Sequence, residues 1–318
     1  MRTRIDPFIV ALLATAAVAS LVPAQGGWLE ALTVASRVAV ALLFLLYGLR
    51  LSTGQALAGL RHWRLHSAIL ATTFVLFPLL GLATYVLVPD MLPRSLYEGV
   101  LLLCLVPSTV QSSVAFTSIA RGNVAGAVVS ASLSNLLGVF LTPLLVALLL
   151  GAGGGAEVDG GAIVFVVVLL FLPFMVGQLL RPLVARRWST SFDGLRVFER
   201  GSILLVVYVA FSEGVNRDVW SEVEPLQLVS LGVVCVVLLS VVLVLTTGLG
   251  RLLRFERGDR YALLFCGSHK SLATGLPMAS VLFTSDRLAL VVVPLMLFHQ
   301  LQLIVCALIA SRAARAAS

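Results

Sequence analysis

The chain contains a single lysine, Lys270, in the stretch CGSHKSLATGLP that runs from Cys266 to Pro277. It stands beside His269 and between Ser268 and Ser271, within a run apolar enough to lie in lipid. A lysine at the centre of a membrane helix costs roughly 2.5–3.5 kcal/mol on insertion scales, and by default such a residue marks a functional site. Three roles suit it: filling a cation position made by backbone carbonyls, trading a proton, or pairing with an anionic solute. The bland alternative is a side chain that snorkels to the interface. His269 can act as a second proton carrier or hydrogen-bond donor, and a structural role fits it equally well.

A second polar interruption lies 160 residues earlier, close to half the chain length. The stretch LLLCLVPSTVQSSVAFTSIARG places Pro107, then Ser108, Thr109, Gln111, Ser112 and Ser113, inside an apolar helix. Pro107 and Gly267 are the expected break residues. Each falls about 10 residues into its span, about 15 Å deep at 1.5 Å per residue. Freed backbone groups cannot face lipid, so both breaks must be buried in protein or line a wet cavity. The N-termini of half-helices favour an anion there, and C-termini with freed carbonyls favour a cation. Gln111, Ser112 and Ser113 offer uncharged donors and acceptors at the facing break. Asn135, with Ser130, Ser132 and Ser134, is a further site candidate, although small polar residues also let helices pack closely. His299, Gln300 and Gln302, mid-way along the last apolar run, either line a cavity or hydrogen-bond between helices. His62 and His66 fall in a loop and need no special role.

The elements that position these residues are membrane helices. With 59% hydrophobic and 12% charged residues and a mean hydropathy of +1.06, this is an all-α integral membrane chain. Ten apolar runs have the length needed to cross the bilayer: 7–23, 31–49, 67–88, 97–120, 123–149, 162–181, 195–212, 226–248, 259–283 and 288–310. Seventeen of the 21 arginines fall on one side of this arrangement and ten of the 15 acids on the other. The positive-inside rule then puts both termini in the cytoplasm, which for a bacterial protein means the inner membrane. The N-terminal stretch resembles a cleavable leader, but losing it would leave an odd count, so it is read as the first span. The glycine-rich segment 151–161 joins two halves, about 1–150 and 161–318. Five spans per half is odd, so the second half must enter upside down, an inverted repeat typical of secondary transporters.

Several absences narrow the chemistry. No Asp or Glu lies mid-membrane, and there is no HExxH, GxSxG or P-loop, which disfavours an ATP-driven pump or a protease. No nucleophile or carboxylate pair suggests a lipid-acting enzyme. Cys104, Cys235, Cys266 and Cys306 have no metal-ligand spacing and read as small buried hydrophobes. The net charge of +7 comes from arginines between apolar runs, which speaks for topology and against a nucleic-acid partner.

Three stretches, FPLLG, VPSTVQSSVAFTSIARGNVAGAVVS and FCGSHKSLATGLPMA, resemble the bile acid:sodium symporter family, in particular its divergent cotransporter-seven-like branch, where a glycine–serine–x–lysine–serine motif is familiar. The resemblance covers nearly the whole chain. It implies one domain, with spans one, two, six and seven as a panel and the others as a core containing crossed, broken fourth and ninth helices. It also implies a sodium site, but the side chains expected there are replaced. The ninth-span acid, glutamine and asparagine fall on Phe265, His269 and Lys270. The fifth-span hydroxyls fall on Ala127 and Ala131, and the third-span glutamine on Thr73. The expectation is therefore a secondary transporter of an organic, anionic, bile-acid-like solute, with no cofactor and with sodium coupling replaced by Lys270. The coupling ion (sodium by resemblance, proton or none by site composition) and the oligomeric state stay open. The competing expectation is a non-transporting membrane regulator or scaffold with the same fold.

Overall fold

The computed structural model describes residues 7–50, 62–151, 160–184 and 193–316, and among these every regular element is helical. Arg2, Arg4, Arg61, Arg186, Arg187, Glu157 and Asp159, used above to orient the chain, lie outside the described residues. So does most of the glycine-rich join, 152–159.

Helix occupies each of the apolar runs. In chain order these are α1 (Pro7–Leu21), α2 (Gly26–Arg50), α3 (Trp63–Ala71), α4 (Phe77–Ala83), α5 (Arg94–Leu105), α6 (Gln111–Ile119), α7 (Val124–Gly151), α8 (Gly160–Val184), α9 (Asp193–Asn216), α10 (Pro225–Leu252), α11 (Arg257–Ser268), α12 (Leu272–Leu282) and α13 (Ser285–Arg315). A π-helical turn, Thr72–Leu76, joins α3 to α4 into one rod. Among the described residues, five rods are long and apolar enough to cross a membrane unaided: Gly26–Leu49, Trp63–Leu87, Val124–Leu150, Pro225–Leu252 and Arg287–Arg315. The valines of α10 at positions 229, 233, 236, 237 and 244 are all exposed, an apolar face that suits lipid and not water.

The chain divides into two compact units. The first holds α1, α2, α8, α9 and residues 276–292. Here α2 lies along α8, and α9 along both α1 and α2. The α2–α8 approach depends on two glycines: a Cβ on Gly48 would meet the Phe174 carbonyl oxygen at 2.1 Å, and one on Gly177 the Leu45 carbonyl oxygen at 2.1 Å. Small residues at such crossings let backbones approach closely. The turn between α1 and α2 is pinned to α9, where Tyr208 donates to the Val22 carbonyl and Asn216 to the Ala24 carbonyl.

The second unit holds α3 to α7, α10, α11, residues 272–275 and residues 293–316. Ala127 and Ala131 of α7 are fully buried against Leu65 and Ile69 of α3 and Leu263 and Cys266 of α11. A second cluster joins Phe265 of α11 to Cys306 and Ala310 of α13. The four cysteines are free and buried, as a small-hydrophobe reading requires. Glu98, in the first turns of α5, is buried and lies 3.4 Å from Arg94.

Candidate functional site

Both interruptions are present, and both lie in the second unit. The first runs from Val106 to Val110 between α5 and α6, the second from His269 to Ser271 between α11 and α12. Pro107 ends α5 because it has no N–H to continue the ladder. Its ring nests against Gly138 of α7, where a Cβ would come within 2.7 Å of it. Gly267, expected to break its helix, does not. The helix continues through Ser268, and Gly267 provides close packing instead, a Cβ there lying 3.2 Å from Thr246 Cγ2 and 3.3 Å from Thr72 Cγ2.

The two breaks touch directly. Ser271 N donates to the Pro107 carbonyl at 2.8 Å, and Ser108 Oγ to the Cys266 carbonyl at 2.6 Å. Ser113 Oγ reaches the Phe265 carbonyl at 3.2 Å.

Lys270 is fully buried. Its Nζ donates to three backbone carbonyls, those of Thr73 at 3.0 Å, Cys104 at 2.8 Å and Val106 at 2.9 Å. The Phe77 ring covers the ammonium, its centroid 4.1 Å away. An ammonium has three donors, and all three are used. Each carbonyl is available because its helical partner is missing. Cys104 lies in the last turn of α5 and Val106 just past its end, where Ser108 N turns instead to Ser134 Oγ at 3.0 Å. Thr73 lies in the π turn, whose register bonds Phe77 N to the Thr72 carbonyl. In that register the Thr73 carbonyl faces Pro78, which has no N–H. Single π turns inside helices often accompany functional sites. The C-terminal end of α5 is also the negative end of its dipole.

Magnitudes decide whether such an ion is tolerable. Desolvating an ammonium costs several kcal/mol. Hydrogen bonds from a charged donor return about 1.5–3 kcal/mol each, and a desolvated cation–π contact about 2 kcal/mol. Three bonds plus one ring offset the penalty without any carboxylate.

The second break is closed by α13. Gln302 accepts from Lys270 N at 2.8 Å and donates to the Lys270 carbonyl at 2.9 Å, replacing both lost helical partners with one side-chain amide. Its Nε2 also donates to His299 Nδ1 at 2.8 Å. The first break is closed by α7. Asn135 Nδ2 donates to the Ser108 carbonyl at 2.7 Å, and Thr142 Oγ1 to the Leu105 carbonyl at 2.8 Å. Asn135 Oδ1 accepts from Thr274 Oγ1 at 2.9 Å, tying the first break to the first turn of α12.

The remaining candidates separate into buried and accessible groups. His269 is fully buried. Its Nδ1 faces the Phe265 carbonyl, so that nitrogen carries the hydrogen, and Nε2, beside the Phe116 ring, has no hydrogen-bond partner among the described residues. Ser268 Oγ turns back to the Leu264 carbonyl. Ser271 Oγ pairs with Thr274 in the first turn of α12. Thr109 Oγ1 bridges Ser112 Oγ at 2.6 Å and Ser113 Oγ at 2.9 Å. Gln111 opens α6 and is exposed, and that helix has no side-chain cap.

Residue-level reading missed Phe77, Cys104, Val106, Thr142 and Thr274 as site members, and reached Thr73 only through the family resemblance. Backbone carbonyls carry no residue signature; for that of Thr73 the one usable sign was Pro78, five residues on.

Comparison with known proteins bears on this geometry. The chain is 50% identical over 310 residues to the Pseudomonas aeruginosa PAO1 protein PA2026, covering 98% of this chain and 93% of that one. It is 44% identical over 311 residues to the Escherichia coli K12 protein named "Putative symporter YfeH", covering 97% and 92%. It is 28% identical over 310 residues to sodium/bile acid cotransporter 7 of mouse, covering 95% and 91%. The family model described as the SBF-like CPA transporter family matches residues 6–315, and with those relatives it establishes that this chain belongs to that family of membrane transporters.

Proposed function

We propose that the protein is a secondary transporter of an organic anion that works by alternating access and holds a fixed cation, Lys270, in place of a mobile one. The observation that carries this reading is the ammonium held by three carbonyls at 2.8–3.0 Å where two helices are interrupted. Freed carbonyls at the negative end of a half-helix are how such folds coordinate a mobile cation. Here the chain supplies that cation, and transport runs without sodium.

In this reading the residues divide into two groups. Lys270, His269, Ser268, Ser271, Ser113, Asn135 and His299 hold the interrupted core in one arrangement. Gln111, Ser112 and Thr109 meet the solute. The uncapped N-terminus of α6 and exposed Gln111 supply positive dipole and a neutral donor, which suits a carboxylate or sulfonate. The two contact units correspond to a panel and a core, the ten helical segments form an inverted repeat, and both termini face the cytoplasm of a bacterial inner membrane.

Burial of Lys270 favours one other reading, a membrane scaffold that retains the fold without flux.

Flux of labelled organic anions into proteoliposomes decides between them. Exchanging external sodium for N-methylglucamine leaves uptake unchanged, and Lys270→Ala abolishes it. Steep sodium dependence in the unmodified protein, or full uptake by Lys270→Ala, would overturn the fixed-cation reading. Absence of flux for every anion, with no thermal stabilisation by any of them, would establish the scaffold.

A further inference from the structure

A cleft of about 490 Å³ in the second unit is not used by the site above. It is lined by His62, Trp63, Arg64, Arg254, Glu256 and Asp259, with Asn123 and Gly258 at its base. Four helix ends meet there: the starts of α3, α7 and α11 and the end of α10.

The base is rigid. Asn123 N donates to the Gly258 carbonyl at 2.9 Å and Asn123 Nδ2 to Asp259 Oδ1 at 2.7 Å, while Asn123 Oδ1 accepts from Gly126 N at 2.8 Å. On the wall, Arg64 is anchored at one nitrogen, donating to the Leu253 carbonyl at 3.1 Å, and lies over the Phe255 ring. Arg254 has a left-handed backbone, φ 56°, at the end of α10. The side chains of His62, Arg254 and Glu256 have no hydrogen bond or ion pair among the described residues. Opposite charges therefore line one cleft without neutralising each other.

That balance selects the ligand. A simple anion would meet Glu256 and Asp259, and a simple cation would meet Arg64 and Arg254. A ligand carrying both signs satisfies both sets, with phosphate on the guanidinium groups and a primary ammonium on the carboxylates. The surroundings select its source. Trp63 is 65% exposed and Leu252 78% exposed, each at the end of a membrane-length rod. Aromatic residues gather where headgroups meet acyl chains. We propose that this cleft binds the phosphoethanolamine headgroup of an aminophospholipid, with its acyl chains beside Trp63 and Leu252.

The test is lipid retention by the purified full-length protein in native mass spectrometry, using phosphatidylethanolamine, phosphatidylcholine and phosphatidylglycerol. Ethanolamine lipid is retained about tenfold more strongly than choline lipid, whose quaternary nitrogen has no N–H to donate, and more strongly than glycerol lipid. Glu256→Gln removes the preference for ethanolamine over choline lipid. Arg254→Ala lowers retention of all three. Both residues are exposed, so unchanged thermal unfolding certifies that the variants are folded. Retention of the glycerol lipid at least equal to that of the ethanolamine lipid overturns the proposal, as does indifference to both substitutions. Soluble O-phosphoethanolamine is expected to compete only weakly. If it saturates the protein while the lipids show no preference, the lipid assignment fails.

Discussion

The two interruptions differ in what they offer. The first, Val106 to Val110, presents acceptors: the carbonyls of Val106, Pro107 and Ser108, with that of Cys104 just before it, all point at partners from elsewhere. The second, His269 to Ser271, presents donors: Lys270 Nζ and Ser271 N both cross to the first. A proline makes the long acceptor break, whereas the short donor break contains none and is kept in shape by one glutamine. Each is closed by the second helix after it, α7 for the first and α13 for the second. Two equivalent breaks in contact would leave like groups facing each other. The asymmetry lets the pair satisfy itself, and a single positive charge is what makes it complete.

The largest expected effect comes from removing that charge. Lys270→Ala leaves three buried carbonyls without donors and should cost about 4 kcal/mol, at about 1–3 kcal/mol for each stranded acceptor. Lys270→Met fills the volume but not the hydrogen bonds, so it should recover only the packing part. Thermal unfolding in detergent checks both, and equal stability of Lys270→Met and the unmodified protein would show that the acceptor break needs no donor. Added ammonium should raise the stability of Lys270→Ala and not that of Lys270→Met, whose side chain blocks the position.

A smaller effect separates the closures. Gln302→Leu strands the N–H and carbonyl of Lys270 and should cost about 2–3 kcal/mol. Thr142→Val removes one donor from the Leu105 carbonyl and should cost about 1 kcal/mol. If the two variants unfold alike, the donor break does not depend on α13 as the geometry requires. The smallest stability change is expected at Gln111. Gln111→Ala alters an exposed side chain outside the network and should stay within about 0.5 kcal/mol, while raising the KM for anion uptake. Unchanged uptake would remove Gln111 from the solute path.

Much of this was legible in the sequence because membrane helices announce themselves by length and apolarity. The same holds for a charge placed where lipid should be. Lys270, Pro107, Ser108 and Ser271 stand out for that reason, and the structure brings all four together. Gly267 misled because glycine in a membrane helix equally marks close packing, the role it has beside Thr72 and Thr246. Gln302 was visible only as a polar residue with two readings, and its two bonds to one backbone residue require α13 to lie alongside the break.

By itself the sequence determined the class, the helical segments, the positions of both interruptions to within a few residues, and the presence of one lysine in an apolar run without an acid to match it. These are local properties, set by transfer free energy and by the missing proline N–H. Only the tertiary structure decided what the ammonium binds. Its partners are carbonyl oxygens, identical at every residue, and which of them lack a helical donor depends on the register of a π turn and on the contact between two interruptions distant in the chain.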